Sequence, residues 1–251
     1  MARFKEDAIC IRYLDWSETS QIVVLLTREH GKLRGLAKGS KRTSPGALAR
    51  YSGGIELLTL GQVVGLTKPT SELATITEWD LQDPYPHLRR DLSAQHLGLY
   101  GADLANALVA DHDPHPTAFG ALRQLLTELT EPSQYDKAIL EFQWCMLDGS
   151  GYRPQLDRDV QTDEEIRDQQ TYNFDARIGG LTNEAGLTTP DNGRGPWRVR
   201  QETVGLLRDL SAGRWQADQL VVRRASRLLC VYARAIIDRQ LPTMKFVLDR
   251  G

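Results

Sequence analysis

Gln21-Ile22-Val23-Val24-Leu25-Leu26-Thr27-Arg28-Glu29-His30-Gly31-Lys32-Leu33-Arg34-Gly35-Leu36-Ala37-Lys38 decides the fold class of the first part of this chain. Both halves are short and aliphatic, and Glu29-His30-Gly31 between them supplies a glycine for the positive φ of a hairpin turn. Around this hairpin, AICIRYL (8–14), IELLTL (55–60), QVVGLT (62–67) and ELATITEW (72–79) read as further strands, with Gly61 as a turn between two of them. Five or six strands within residues 1–80 predict a small barrel of the OB type, although periodicity alone does not separate that from an SH3-like barrel.

After Pro84 and Pro86 the pattern changes to a helical period. Leu92, Leu99, Leu104 and Leu108 recur at helical spacing behind a capping Asp91. Asp113-Pro114 precedes a second helix carrying Phe119, Leu122, Leu125, Leu126 and Leu129, and a third runs from Ser133 to Gly149 or Gly151. Residues 153–197 lose this period and read as an irregular insert or small β subdomain, with Tyr172-Asn173-Phe174 ahead of a Gly179-Gly180 turn. Helices return over 199–210 and 218–239, the last with Leu220, Leu228, Leu229, Tyr232 and Ile236 facing inward and Pro242 beyond its stop. The expected class is α+β: a barrel over 1–80, then a helical domain over 81–251 interrupted by the insert.

Composition is that of an ordinary globular protein, with 41% hydrophobic and 25% charged residues. Cys10, Cys145 and Cys230 are far apart and form no CxxC pair, so they read as core residues rather than metal or redox ligands. The first residues have too short an apolar stretch for a secretory signal, and no run of about 18 apolar residues occurs. The expectation is a cytosolic protein with no membrane partner.

Net charge is only −2, but its distribution is uneven. Arg28, Lys32, Arg34, Lys38, Lys41, Arg42 and Arg50 face the single acid Glu29 within residues 28–50. Residues 157–175 hold seven acids against Arg158 and Arg167. Lys32, Arg34 and Lys38 fall on one face of a strand, with Leu36 as the apolar exception, and the Gly39–Gly46 loop that follows is too rich in Gly, Ser, Thr and Pro to fold by itself. A row of cations beside such a loop suits a phosphate backbone, which it would bind with strong salt dependence. Tyr13, Trp16 and Tyr51 are the nearby candidates for base stacking. Arg223, Arg224, Arg227, Arg234 and Arg239 make the last helix basic, fit either to receive an acidic peptide or to assist DNA binding. The Walker GxxxxGK[ST] pattern, HExxH and GxSxG are all missing, and His112 and His115 read as polar residues of an interhelical loop. No catalytic residue, cofactor or metal ligand is expected.

The stretch from Glu18 through Thr27-Arg28-Glu29-His30-Gly31-Lys32 to Lys38-Gly39 resembles the N-terminal signature of the RecO family of recombination mediators. Weaker similarity continues through Asp83-Pro84-Tyr85-Pro86, Leu147-Asp148-Gly149-Ser150-Gly151-Tyr152-Arg153-Pro154, Arg227-Leu228-Leu229 and Lys245-Phe246-Val247-Leu248. The resemblance implies an N-terminal OB barrel and a helical domain. It also implies binding and annealing of DNA, and loading of recombinase onto strands coated by single-strand-binding protein. Implied partners are single- and double-stranded DNA, RecR and the acidic tail of the single-strand-binding protein, in a bacterial cytoplasm at the nucleoid. Lys32, Arg34, Lys38, Lys41 and Arg42, with Arg50, are the implied phosphate contacts; Arg223, Arg224 and Arg227 are candidates for a partner or DNA. Many relatives carry two CxxC pairs, around positions 159 and 162 and around 183 and 186, where this chain has no cysteine. The insert is therefore zinc-finger-like in position but cannot form a thiolate zinc site. The competing readings are an interaction scaffold with little DNA affinity of its own, and an enzyme whose carboxylate or histidine cluster the linear sequence does not reveal.

Overall fold

The computed structural model describes residues 2–68, 71–183, 197–213 and 215–250. The chain divides into two compact units, Met1–Pro132 and Ser133–Gly251. The change from strands to helices near residue 80 is thus not where the contacts divide, because the first two helices beyond that point belong to the first unit.

That unit is built on β1 (Ala2–Ser17), β2 (Ser20–Thr27), β3 (Lys32–Ala37), β4 (Leu60–Lys68) and β5 (Ser71–Asp83). They close into a barrel in the order β1-β2-β3-β5-β4, antiparallel except where β3 runs parallel to β5. This is the α+β architecture with an OB-type barrel that the strand pattern predicts. Alternation along each strand sends Val23, Leu25, Leu33 and Ala37 into a core shared with Phe4, Val63, Ile76 and Trp79. The β2–β3 turn does use Gly31, at φ 66°. A Cβ there would lie 1.9 Å from the carbonyl oxygen of Asp113, so the site excludes every other residue twice over.

Two strand-region expectations are corrected. IELLTL is not a strand before Leu60: the N–H and carbonyl of Ile55 bond the side chain of Gln21 instead of a neighbouring strand. Gly61 is not a turn either. It lies inside β4, where a Cβ would sit 2.5 Å from the Trp79 ring. Part of the expected loop is also a helix, α1 (Pro45–Tyr51), which begins on a proline suited to the first helical position. Its Tyr51 is buried and donates a 2.9 Å hydrogen bond to the Ile76 carbonyl.

Helices α2 (Leu92–Leu108) and α3 (Pro116–Glu128) follow, and α2 starts where predicted, with Asp91 accepting from the Ala94 N–H. The second unit holds α4 (Tyr135–Gly149), α5 (Gln201–Ser211), α6 (Gln219–Ile237) and α7 (Lys245–Leu248). Its small sheet consists of β6 (Thr171–Asp175), β7 (Gly180–Thr182) and β8 (Trp197–Arg200), in the order β7-β6-β8. Helix α6 packs on α4 and α5 and buries Val222, Ala225, Leu229, Cys230 and Tyr232. Leu220, expected inward, is 52% exposed because it sits in the first turn, ahead of that stripe. Cys10 and Cys230 are buried and Cys145 is half-buried; burial pushes the Cys10 thiol up to about 12, which keeps it protonated and unreactive. Among the described residues no helix is long and apolar enough to cross a membrane.

At the first expected cysteine position of the insert, a buried carboxylate ties the segments together. Asp159 accepts from the N–H groups of Gln161 (2.7 Å), Thr162 (3.1 Å) and Asn183 (2.5 Å) and from the Thr182 hydroxyl (3.2 Å). It thereby joins its own loop to the end of β7. Of the second expected pair, around 183 and 186, Gly186 lies outside the described residues.

Two outcomes follow from these positions. Gly31→Ala destabilises the fold by more than the ~1 kcal/mol of a left-handed position alone, since Asp113 must also move, and a lowered urea midpoint at unchanged m-value reads it. Burial pushes the Asp159 carboxyl up, but the hydrogen bonds from Asn183, Gln161, Thr162 and Thr182 outweigh it and hold the pKa below the usual carboxylate value. Its stabilisation is therefore complete above the unfolded value of about 3.9 and is lost as pH falls through the lower folded value. Asp159→Ala removes it at all pH, costing roughly 2–4 kcal/mol for several orphaned donors. Hydrogen exchange at the amides of Gln161, Thr162 and Asn183 reads both effects.

Candidate nucleic-acid interface

Strand β3 carries the basic row, and register fixes its neighbours. Arg34 lies opposite Val24 on β2, which lies opposite Arg12 on β1; Leu36 lies opposite Ile22, which lies opposite Leu14. These positions point away from the core filled by Val23, Leu25, Leu33 and Ala37. The outer face of β1-β2-β3 is thus a three-strand surface with cations in one cross-strand row and aliphatic groups in the next.

The expected cations are not equivalent on it. Lys32 is buried: its Nζ donates to the Asn106 carbonyl (2.7 Å) and pairs with Asp111 (3.1 Å), with only 10% of the side chain exposed. The α2–α3 connection covers it, and the His112 N–H bonds the Lys32 carbonyl at 3.0 Å. Its charge therefore serves the fold, and the reading of three cations open on one strand face narrows to Arg34 on β3, with Lys38 just beyond the strand's end. Arg34 shares the Asp111 carboxylate (Nε at 3.3 Å) yet keeps 55% of its side chain exposed. Lys38, Lys41 and Arg42 are exposed on the loop after β3. Lys41 pairs with Asp15 at 2.8 Å. Arg50 is exposed on α1, with its Nε on the Gly46 carbonyl and its guanidinium over the Tyr51 ring.

The loop itself is held to the β1–β2 ribbon. Gly39 N–H donates to the Ser20 hydroxyl (3.1 Å), Lys41 N–H to the Thr19 carbonyl (3.1 Å), and the Ser40 hydroxyl to the buried Gln21 carboxamide (2.9 Å). Ser20 and Gln21 are what the sequence reading missed. A buried Ser-Gln pair at the start of an otherwise aliphatic strand was the signal available. The aromatic candidates separate in the same way: Tyr51 is buried in the core, whereas Tyr13 and Trp16 are 45% and 64% exposed near the end of the ribbon.

In the second unit, Arg223 is engaged with the buried Asp136 (2.8 Å), which also holds Arg250 (3.2 Å). Arg224 and Arg227 instead line a groove of about 370 Å³ with Arg198 and Arg200, over a floor that includes Trp197, Val199, Leu228 and Val231. Trp197 stacks on Phe174 at 5.8 Å, and Tyr232 meets the same ring edge-on at 5.3 Å, so the floor rests on packed aromatic rings. Arg227 donates to the Arg250 carbonyl, and its buried Nε has no partner among the described residues. An apolar floor rimmed by arginines suits an acidic segment with apolar side chains. The groove floor was not legible in sequence, because β8 and α6 meet only in the fold.

His115 caps α3, its Nδ1 accepting from the Ala118 N–H. Among the described residues no group of three or more His, Cys, Asp or Glu side chains is placed to hold a metal.

Residues 1–85 match the family model for the N-terminal part of recombination protein O, and residues 89–245 match that for its C-terminal part. Similar proteins include the DNA repair protein RecO of Myxococcus xanthus, 29% identical over 157 residues, 62% of this chain and 62% of that protein. The DNA repair protein RecO of Rhodopirellula baltica is 32% identical over 151 residues, 60% of this chain and 54% of that protein. That of Syntrophus aciditrophicus is 25% identical over 257 residues, 99% and 96% of the two chains. The match thus spans less than two thirds of the first two relatives and nearly all of the third. With both parts of the fold matched in order, the chain belongs to the recombination protein O (RecO) family.

Proposed function

We propose that the chain is a non-catalytic DNA-binding mediator of recombinational repair. It binds and anneals single strands and helps load recombinase onto strands coated by single-strand-binding protein, in the bacterial cytoplasm at the nucleoid. The observation that carries this reading is the outer face of β1-β2-β3 with exposed Arg34, followed by a loop fixed to the barrel that carries exposed Lys38, Lys41 and Arg42. Cations on a preformed surface attract a phosphate backbone of either a single strand or a duplex by counterion release, without sequence preference. Lys32 drops out of the phosphate contacts, and Arg50 stands on α1 as an outlying one. Kinship with proteins named for DNA repair supports the biological setting.

For partners, the arginine-rimmed groove with Arg224 and Arg227 supports docking of the acidic tail of single-strand-binding protein, and family membership supports RecR. A scaffold that binds these partners and ignores DNA is the alternative. Bare oligonucleotides separate the two.

Replacing Lys38 and Arg42 together with Ala weakens binding to a single strand and reduces the slope of log K against log salt by about 1.4, at ~0.7 per phosphate contact. An unchanged slope contradicts the assignment. Asp15→Asn frees Lys41 and acts oppositely, tightening binding and steepening the slope by about 0.7. Lys32→Ala instead lowers thermal stability and leaves the slope alone. In the groove, Arg224→Glu weakens an acidic, aromatic-ended peptide about tenfold in fluorescence anisotropy while single-strand binding by the barrel persists; an unaltered peptide affinity excludes that seat.

A further inference from the structure

The barrel face carries more than charge. Leu14 and Trp16 are each 64% exposed on β1, and across the sheet from Leu14 lie half-buried Ile22 and then Leu36. Exposed large apolar side chains gathered on one face mark a contact surface. Here the aliphatic row is bounded by cations on both sides. Arg12 and Arg34 lie one row away along the strands, and Lys38, Lys41 and Arg42 follow on the side toward Trp16. Successive rows are two residues apart, ~6.8 Å along a strand, so Arg34 stands about one row from Leu36 on one side and Lys38, just past the end of β3, follows on the other.

We propose that this row, Leu14-Ile22-Leu36 with Trp16 at its edge, seats the bases of a single strand while the flanking cations hold its phosphates. The inference rests on the reading of the barrel face as a DNA site and adds what that site recognises. Flat, apolar base faces on an anionic polymer are complementary to an aliphatic and aromatic row between two groups of cations. A duplex presents phosphates but keeps its base faces stacked on one another, so the apolar row discriminates in favour of single strands. The surface is also preformed. The ribbon is fastened to the basic loop through the Thr19 carbonyl and the Ser20 hydroxyl, so little order remains to be imposed on binding. Tyr13 pairs with the core position Val23 and belongs to the opposite face of the ribbon, which leaves Trp16 as the stacking residue.

The test uses the full chain with a thymidine oligonucleotide and an abasic deoxyribose-phosphate oligonucleotide of equal length, titrated by anisotropy over a range of salt. Trp16→Ala and Leu14→Ser each weaken the thymidine oligonucleotide by about tenfold with an unchanged salt slope, leave the abasic one unaffected, and keep the melting temperature of the parent protein. Trp16→Phe retains most of the affinity. Equal affinity of the parent for the two oligonucleotides, or full thymidine binding by Trp16→Ala, overturns the inference and leaves the phosphate site standing. Binding to neither oligonucleotide overturns the DNA site itself.

Discussion

Side chains on a strand alternate between faces, and closing β1 to β5 into a barrel turns that alternation into a division of labour. Val23, Leu25, Leu33 and Ala37 must fill the interior, so the residues between them, Val24, Arg34 and Leu36, have to stand outside. The buried carboxamide of Gln21 extends this order beyond the strands. It accepts from Ser40 and from the Ile55 N–H and donates to the Ile55 carbonyl, so one side chain organises both the basic loop and the segment leading to β4. A buried amide with its hydrogen bonds made is stabilising and specific; one left unmet is costly. The position of the cations on the barrel depends on that bonding.

Counting charges does not identify a charged surface. Lys32 and Arg223 belong to the same basic runs as Lys38 and Arg224, yet each neutralises an acid inside its own unit. Removing a charge from water is tolerated only with a close partner, and Asp111 and Asp136 provide one. What is left for a ligand is the subset that keeps its side chain open to solvent even where it meets an acid, as Arg34 does. In the barrel that subset lies beside exposed apolar side chains. In the second unit it rims an apolar groove.

The hairpin was legible because its glycine and its aliphatic strands agree, and the start of α2 was legible because Asp91 stands as a cap before it; the face it buries was not, since Leu92 is exposed and Ala94, Leu97 and Tyr100 are buried instead. Local pattern failed where tertiary partners replaced local ones. IELLTL has the composition of a strand, but Gln21, 34 residues away in sequence, takes the bonds of Ile55. Gly61 looked like a turn and is a point of close approach for Trp79. Residues 45–51 form a helix despite weak local signal, because Ala47 and Tyr51 are buried against the barrel. The cationic face was read from spacing alone; its apolar row was not, since Leu14, Ile22 and Leu36 meet only through the register of three strands.

Hydrogen exchange of the full chain with and without a thymidine oligonucleotide maps the strand directly onto the fold. Protection at residues 12–16, 20–24 and 34–42, with strand β4 unchanged, is the expected result. Protection confined to residues 133–251, with none on β1-β2-β3, would contradict a DNA site on the barrel.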